Sequence, residues 1–210
     1  MKGRSPTVHK GRGAVSNPEG RFERLERLRE EEDPSERRAP ETILVSKQAS
    51  SIISRNDSPD IPFSQSINPY QGCEHGCVYC YARPSHSYLG LSPGLDFETR
   101  IFAKANAADL LKQELGKPGY RCEVISLGAN TDPYQPAERE LRITRSVLEV
   151  LHEHGHPVGI VTKSSLIERD MDLLEAMAKC DLVRVYISIA TLDAEVARTL
   201  EPRATAPWCW

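Results

Sequence analysis

Apolar positions along residues 107–200 alternate between helical and extended spacing. Over residues 107–115, Ala108, Leu111 and Leu115 fall on one helical face, and Gly116-Lys117-Pro118-Gly119 ends the run. Residues 123–128 read as a strand, with Asn130-Thr131-Asp132-Pro133 as the turn beyond its C-terminal end. Residues 138–154 make the clearest helix, striped by Leu141, Val147, Leu148 and Leu151, with Gly155 just past its end. A strand over 157–162 follows, then a helix carrying Met171, Leu174 and Met177. Residues 182–189 are nearly all apolar, as a parallel strand covered on both faces would be, and 193–200 begin one more helix. This βαβαβα order predicts an α/β fold with a parallel sheet.

Upstream, residues 42–45 are strand-like, 56–62 have the Asn, Asp and Pro content of turns, and 66–70 form a brief strand running into residues 72–82. Residues 1–40 differ. They mix Gly, Ser, Pro and Arg with the acidic run Glu30-Glu31-Glu32-Asp33 and offer little to bury, which predicts a solvated, disordered tail ahead of a core domain over 41–203. A short amphipathic helix around Phe22, Leu25 and Leu28 fits within that tail. The basic first dozen residues also allow a phosphate-contacting arm, against the simpler reading of a solvated segment.

The chain has 210 residues, enough for a genuine core, and its net charge of -3 does not describe a wholesale polyanion binder. Nucleic acid would need a local patch. No apolar run reaches bilayer length and no apolar segment follows the basic N-terminus, which predicts a cytoplasmic protein without a membrane partner. In a reducing compartment, clustered cysteines serve more often as metal ligands or catalytic groups than as disulfides.

Three of the six cysteines, Cys73, Cys77 and Cys80, fall within eight residues with the spacing CX3CX2C. Thiolates are the usual protein ligands of iron-sulfur clusters, and three of them leave one iron of a four-iron cluster open. The rival is a structural zinc site in which Cys77 and Cys80 form a knuckle and Cys73 with His75 or His86 completes four ligands; zinc sites usually present a second, separated ligand pair, and none is evident. Cys122 and Cys180 read as buried core residues, and His152, His154 and His156 as ordinary helix-end histidines. The other polar clusters, 130–132, 162–164 and 188–191, all follow strands. In parallel α/β folds that edge is where ligands bind, so these clusters and the cysteine loop are expected to converge.

Cys73, Cys77 and Cys80, with Tyr79 before the last of them, resemble the signature loop of the radical S-adenosylmethionine (SAM) enzymes. Asn68-Pro69-Tyr70-Gln71-Gly72-Cys73, Cys80-Tyr81-Ala82-Arg83-Pro84, residues 130–136, Thr162-Lys163-Ser164 and Leu200-Glu201-Pro202-Arg203 are similar to stretches of the branch related to spore photoproduct lyase, together covering about residues 40–203. The resemblance implies a partial (β/α) barrel with parallel strands beginning at Ser66, Glu123, Pro157 and Leu182. It implies a [4Fe-4S] cluster on the three cysteines, with SAM on the open iron, cleaved to a 5'-deoxyadenosyl radical by an electron from a flavodoxin- or ferredoxin-type donor. Tyr79 would then lie near the adenine. Asn130, Thr131 and Asp132 would take the methionine amino group, and Lys163, Ser164 and Ser188 the methionine carboxylate or the ribose. By the same likeness the substrate would be a pyrimidine lesion in DNA. The likeness stops at Arg203: Ala204-Thr205-Ala206-Pro207-Trp208-Cys209-Trp210 is unlike the family's two further strands and reads as a truncation or frame change. The expectation is an open apolar edge at the last strand and cluster binding with weak or absent turnover.

Overall fold

Two sheets hold the cysteine loop, and the chain crosses from one to the other just before it. In the computed structural model, which describes residues 9–20 and 40–210, the strands are β1 (Ile43–Lys47), β2 (Ile53–Arg55), β3 (Gln65–Ile67), β4 (Tyr70–Gln71), β5 (Arg100–Lys104), β6 (Ile125–Leu127), β7 (Val158–Thr162) and β8 (Val183–Ile187). The larger sheet runs β2-β3-β6-β7-β8; β2 is antiparallel to β3, and β3, β6, β7 and β8 are mutually parallel. The smaller sheet runs β1-β5-β4, with β1 parallel and β4 antiparallel to β5. The single strand expected over 66–70 is therefore two. Pro69 has no N–H to give a ladder, and its carbonyl instead accepts from Lys104 N at 3.0 Å, so the chain leaves the parallel sheet at Asn68 and enters the small sheet at Tyr70.

The helices are α1 (Leu95–Thr99), α2 (Ala107–Leu115), α3 (Glu138–Leu141), α4 (Ile143–Glu153), α5 (Met171–Ala178) and α6 (Ala194–Leu200). Leu111 of α2, Val147, Leu148 and Leu151 of α4, and Met177 of α5 are fully buried with Ile67, Ile125, Leu127 and Ile160 of the parallel strands. Helical stripes and short apolar strands thus close one core, as the pattern requires. No helix among the described residues is long and apolar enough to cross a membrane.

Four expectations need correction. The helix over 138–154 is broken at Arg142, whose φ of 51° is left-handed, because the buried Glu138 carboxylate turns back to cap the next segment: Thr144 N donates to its Oε2 at 2.9 Å and Arg145 N to its Oε1 at 3.3 Å. Strand β8 is not covered on both faces. Among the described residues it pairs only with β7, and Val185, Tyr186 and Ile187 stay 38–54% exposed although α5 packs against it. Cys122 and Cys180 are exposed rather than buried, each lying in a connection ahead of a strand. Finally, residues 9–20 are no solvated tail, and Arg12 is no phosphate-contacting arm. Its guanidinium is buried, giving hydrogen bonds to Glu98 O at 2.7 Å, Pro40 O at 2.9 Å and Thr42 Oγ1 at 3.0 Å. The helix expected around Phe22, Leu25 and Leu28 lies outside the described residues.

Candidate functional site

The cysteine loop takes its shape from two left-handed glycines and a set of polar clamps. Gly72 has φ 86°, and a Cβ there would lie 2.9 Å from both Phe97 O and His86 Cε1, so only glycine lets the loop close on α1. The next residue confirms the contact: Cys73 N donates to Phe97 O at 2.9 Å. Gln135, fully buried, grips the loop from the β6 side, with Nε2 donating to Gly72 O at 3.1 Å and Oε1 accepting from Glu74 N at 3.0 Å. On the other side, Arg83 Nη2 donates to Cys77 O at 2.8 Å and to Glu98 Oε1 at 2.7 Å. Arg83 opens a 3-10 turn (Arg83–Leu89), begun by Pro84, so the guanidinium reaches back over the loop it follows.

Cys73 and Cys77 are buried, Cys80 is half-buried, and all three are free thiols. Burial pushes the Cys73 thiol well above its ordinary range, with Asp132 adding to the effect; burial and then the Glu201 carboxylate push Cys77 up to about 12. Such thiols stay protonated until positive charge arrives, and bound iron supplies that charge. In the zinc alternative His75 or His86 would complete the ligands. His75 Nδ1 sits 3.3 Å from Asp132 Oδ2, His86 Nε2 lies 3.0 Å from Arg100 O with its ring edge-on to Phe97, and no group of three or more His, Cys, Asp or Glu among the described residues is placed to hold a metal ion. One ion needs its donors around a point, whereas a cubane takes each thiolate at a different corner.

The strand-end residues do meet around this loop. Beyond β6, Asn68 Oδ1 accepts from Asn130 N at 2.8 Å and Thr131 N at 3.2 Å, and the buried Thr131 hydroxyl donates to Tyr70 O at 2.8 Å. Thr131 therefore ties the turn to the stem of the cysteine loop. Asp132 accepts from Tyr134 N at 2.8 Å, Thr162 Oγ1 at 2.7 Å and Lys163 N at 2.7 Å. Burial opposes its charge, yet His75 and these donors hold its carboxyl below the usual value. With both oxygens engaged, Asp132 is a staple between β6, β7 and the cysteine loop. Ser164 caps the turn at Ser165–Asp170, its Oγ accepting from Leu166 N at 3.3 Å. Lys163 Nζ donates to Ser188 Oγ at 2.8 Å, pairs with Glu201 Oε1 at 2.6 Å and stands 5.7 Å from the Tyr79 ring centre. Burial opposes the ammonium, but Glu201 and the Tyr79 hydroxyl raise its pKa above the ordinary lysine value. Tyr79 is half-exposed, and its hydroxyl donates to Glu201.

Residues 200–205 return to this cluster: Val78 N donates to Leu200 O at 3.0 Å, Arg203 N to His75 O at 3.1 Å and Thr205 N to Lys163 O at 3.0 Å. Sequence reasoning left Glu201, Asn68 and Gln135 out of the site, although each stands inside a string quoted for the family likeness. Arg83 also stands inside such a string, whereas Glu98 stands in none, and their bond joins two segments whose distance in space no spacing rule gives.

A family model described as the radical SAM superfamily matches residues 67–208. The chain belongs to the radical SAM superfamily. Members of this superfamily typically use a [4Fe-4S] cluster and SAM, and the mixed, mostly parallel sheet is consistent with a partial radical SAM fold. Three free thiols in one clamped loop at a strand-end edge are a donor set that fits such a cluster. The radical SAM chain is 41% identical over 147 residues to an uncharacterized protein of Mycobacterium tuberculosis, covering 70% of this chain and 43% of the relative. It is 29% identical over 136 residues to one of Methanocaldococcus jannaschii, covering 65% and 48%, and 29% identical over 140 residues to one of Acidianus two-tailed virus, covering 65% and 45%. The chain thus spans less than half the length of these relatives, and their descriptions point to no particular branch of the superfamily. No solved structure matches it.

Proposed function

We propose that this chain binds a [4Fe-4S] cluster through the thiolates of Cys73, Cys77 and Cys80 and holds SAM along the C-terminal edge of the parallel strands for reductive cleavage. One observation carries the reading: the loop with the three free thiols lies against Asp132, Lys163 and Glu201, which stand beyond β6, β7 and α6. When bound, the cluster and SAM supply one-electron cleavage of the sulfonium to methionine and a 5'-deoxyadenosyl radical. The chain's own residues bind and orient. Lys163, oriented by Glu201 and Ser188, offers a cation to the methionine carboxylate, and the exposed face of Tyr79 offers a surface to the adenine. Asn130 presents a side-chain amide to the methionine ammonium, while Thr131, Asp132 and Ser164 hold the strand-end turns in place.

The finer branch, related to spore photoproduct lyase, is supported by the strings around 68–84, 130–136 and 200–203, and a pyrimidine lesion in DNA is the substrate which that likeness carries. The electron would come from a flavodoxin- or ferredoxin-type donor, which the same likeness carries. Anaerobic reconstitution with iron and sulfide tests the reading. The expected product is a brown protein with about four irons per chain, which with dithionite converts SAM only slowly to methionine and 5'-deoxyadenosine, in keeping with the weak turnover expected of this chain. A colourless protein that retains zinc would overturn the cluster, and a loaded protein that yields no 5'-deoxyadenosine would overturn the SAM step. Ultraviolet-irradiated DNA whose lesions survive incubation with the active protein would remove the branch assignment.

A further inference from the structure

Residues 9–20 run across the cysteine loop, and two backbone approaches there admit only glycine. A Cβ on Gly13 would fall 1.8 Å from Gly76 O and 2.9 Å from Gly76 C, and a Cβ on Gly94 would fall 2.0 Å from Ser16 O. Neither obstacle is a flexible side chain, so neither can move without shifting main chain. The contact is also polar. Gly13 N and Ala14 N donate to Glu98 Oε2 and Oε1 at 3.0 and 2.8 Å, and the Glu98 side chain is fully buried. The same carboxylate accepts from Arg83 Nη2, which donates in turn to Cys77 O. One carboxylate and one guanidinium therefore join the N-terminal segment to a cysteine of the loop. Further along, Asn17 and Asp96 exchange two hydrogen bonds, at 2.9 and 2.8 Å, and Leu95 N donates to Ser16 O at 3.1 Å. Nothing in this arrangement resembles a solvated tail. Most of its hydrogen bonds go to α1, the helix on which the loop closes, while Arg12 also reaches Pro40 O and Thr42 Oγ1 and Pro18 O accepts from Ser92 Oγ.

We propose that residues 9–20 are a positioning strap for the cluster loop, which fixes the Gly76-Cys77 backbone and covers it against water and small reactive solutes. The inference rests on the proposed cluster site for its purpose, but the strap's cover over Cys77 exists whether or not a cluster is loaded. Gly13 is the residue that lets the strap approach, Glu98 and Arg83 transmit its position to Cys77, and Asn17 anchors its far end.

The test uses the full chain with Gly13→Ala and Asn17→Ala, read in two ways. In the cluster-free protein under reducing conditions, iodoacetamide labelling is followed residue by residue by mass spectrometry, with the exposed Cys122 as an internal reference. Gly13→Ala should raise the labelling rate of Cys77 by about tenfold or more relative to Cys122, since it removes buried hydrogen bonds and opens the loop locally. Asn17→Ala, which loosens the strap without pushing on Gly76, should give a smaller rise in the same direction. It decides the matter if Gly13→Ala fails to fold. In reconstituted protein, both variants should lose visible absorption in air several-fold faster than the unaltered chain. Labelling and bleaching unchanged in both folded variants would overturn the strap. An unaltered chain that takes up no cluster would instead overturn the proposed function, while the labelling arm would still report on the strap.

Discussion

Cys77→Ala ends cluster assembly. Anaerobic reconstitution of this variant should leave iron near background, against about four irons per unaltered chain, and no visible iron-sulfur absorption. The reason is arithmetic as well as geometry. The loop supplies three thiols, and the remaining cysteines, Cys122, Cys180 and Cys209, are exposed and lie outside it, so the loop holds no replacement thiol. Alanine fills the buried site without adding a polar group, and Arg83 still holds the backbone carbonyl of residue 77, so far-ultraviolet circular dichroism should be unchanged. Cys122→Ala, the matched control, should load normally. A Cys77→Ala chain that kept a full cluster would sink the ligand assignment. The pH dependence has a definite sign. Burial holds Cys73 well above the ordinary thiol range and Cys77 at about 12, so both are neutral near pH 7 and must lose protons to ligate. Cluster uptake should therefore weaken as the pH falls, with protons released on loading.

The cysteine loop and the parallel order were legible from local signals. CX3CX2C is a short-range motif, and residues 107–115, 157–162 and 193–200 carry their period in their own side chains, matching α2, β7 and α6 closely. What local signals left unread were the interactions between distant segments. Strand β5 follows α1 directly and is defined by pairing with β1, some 57 residues away, in the register Ile43↔Arg100. The strap over 9–20 reads as tail because Gly, Ser, Pro and Arg are tail-like in composition; its order comes from a carboxylate at Glu98 that the segment cannot announce. The same holds within the site. Asp132 looks like a free acceptor in a turn, but three of its donors come from the turn itself and from β7, so its carboxylate is occupied by the protein's own groups. Lys163 looks like a solvated lysine beyond a strand, and becomes a site residue only because Glu201 and Tyr79 arrive beside it.

Glu138→Ala should cost about 3–5 kcal/mol, a large part of the roughly 5–15 kcal/mol that stabilises a domain. Glu138 is fully buried and performs four tasks at once. Its Oε2 accepts from the Tyr70 hydroxyl and from Thr144 N, and its Oε1 from Arg145 N and from Arg169 Nη2 at 2.8 Å. Alanine would leave the first turn of α4 uncapped, the Tyr70 hydroxyl without its acceptor, and the Arg169 charge dependent on Asp170 alone, which is itself shared with Arg145. Burial and the Glu138 charge already raise the Tyr70 pKa far above the tyrosine norm, so ionisation offers that hydroxyl no escape. Glu138→Gln keeps the shape and one acceptor oxygen but turns an NH2 group toward donors, and should fall between the two. Urea unfolding followed by circular dichroism measures both; a loss below about 1 kcal/mol for Glu138→Ala would mean that water replaces the carboxylate and that the network is dispensable. The consequence reaches the site through Tyr70, two residues before Gly72 on the stem that Thr131 also holds. At temperatures where Glu138→Ala remains folded, its reconstituted cluster should therefore bleach in air faster than that of the unaltered chain. The carboxylate that breaks the long helix at Arg142 is then also what keeps the stem of the cysteine loop in place.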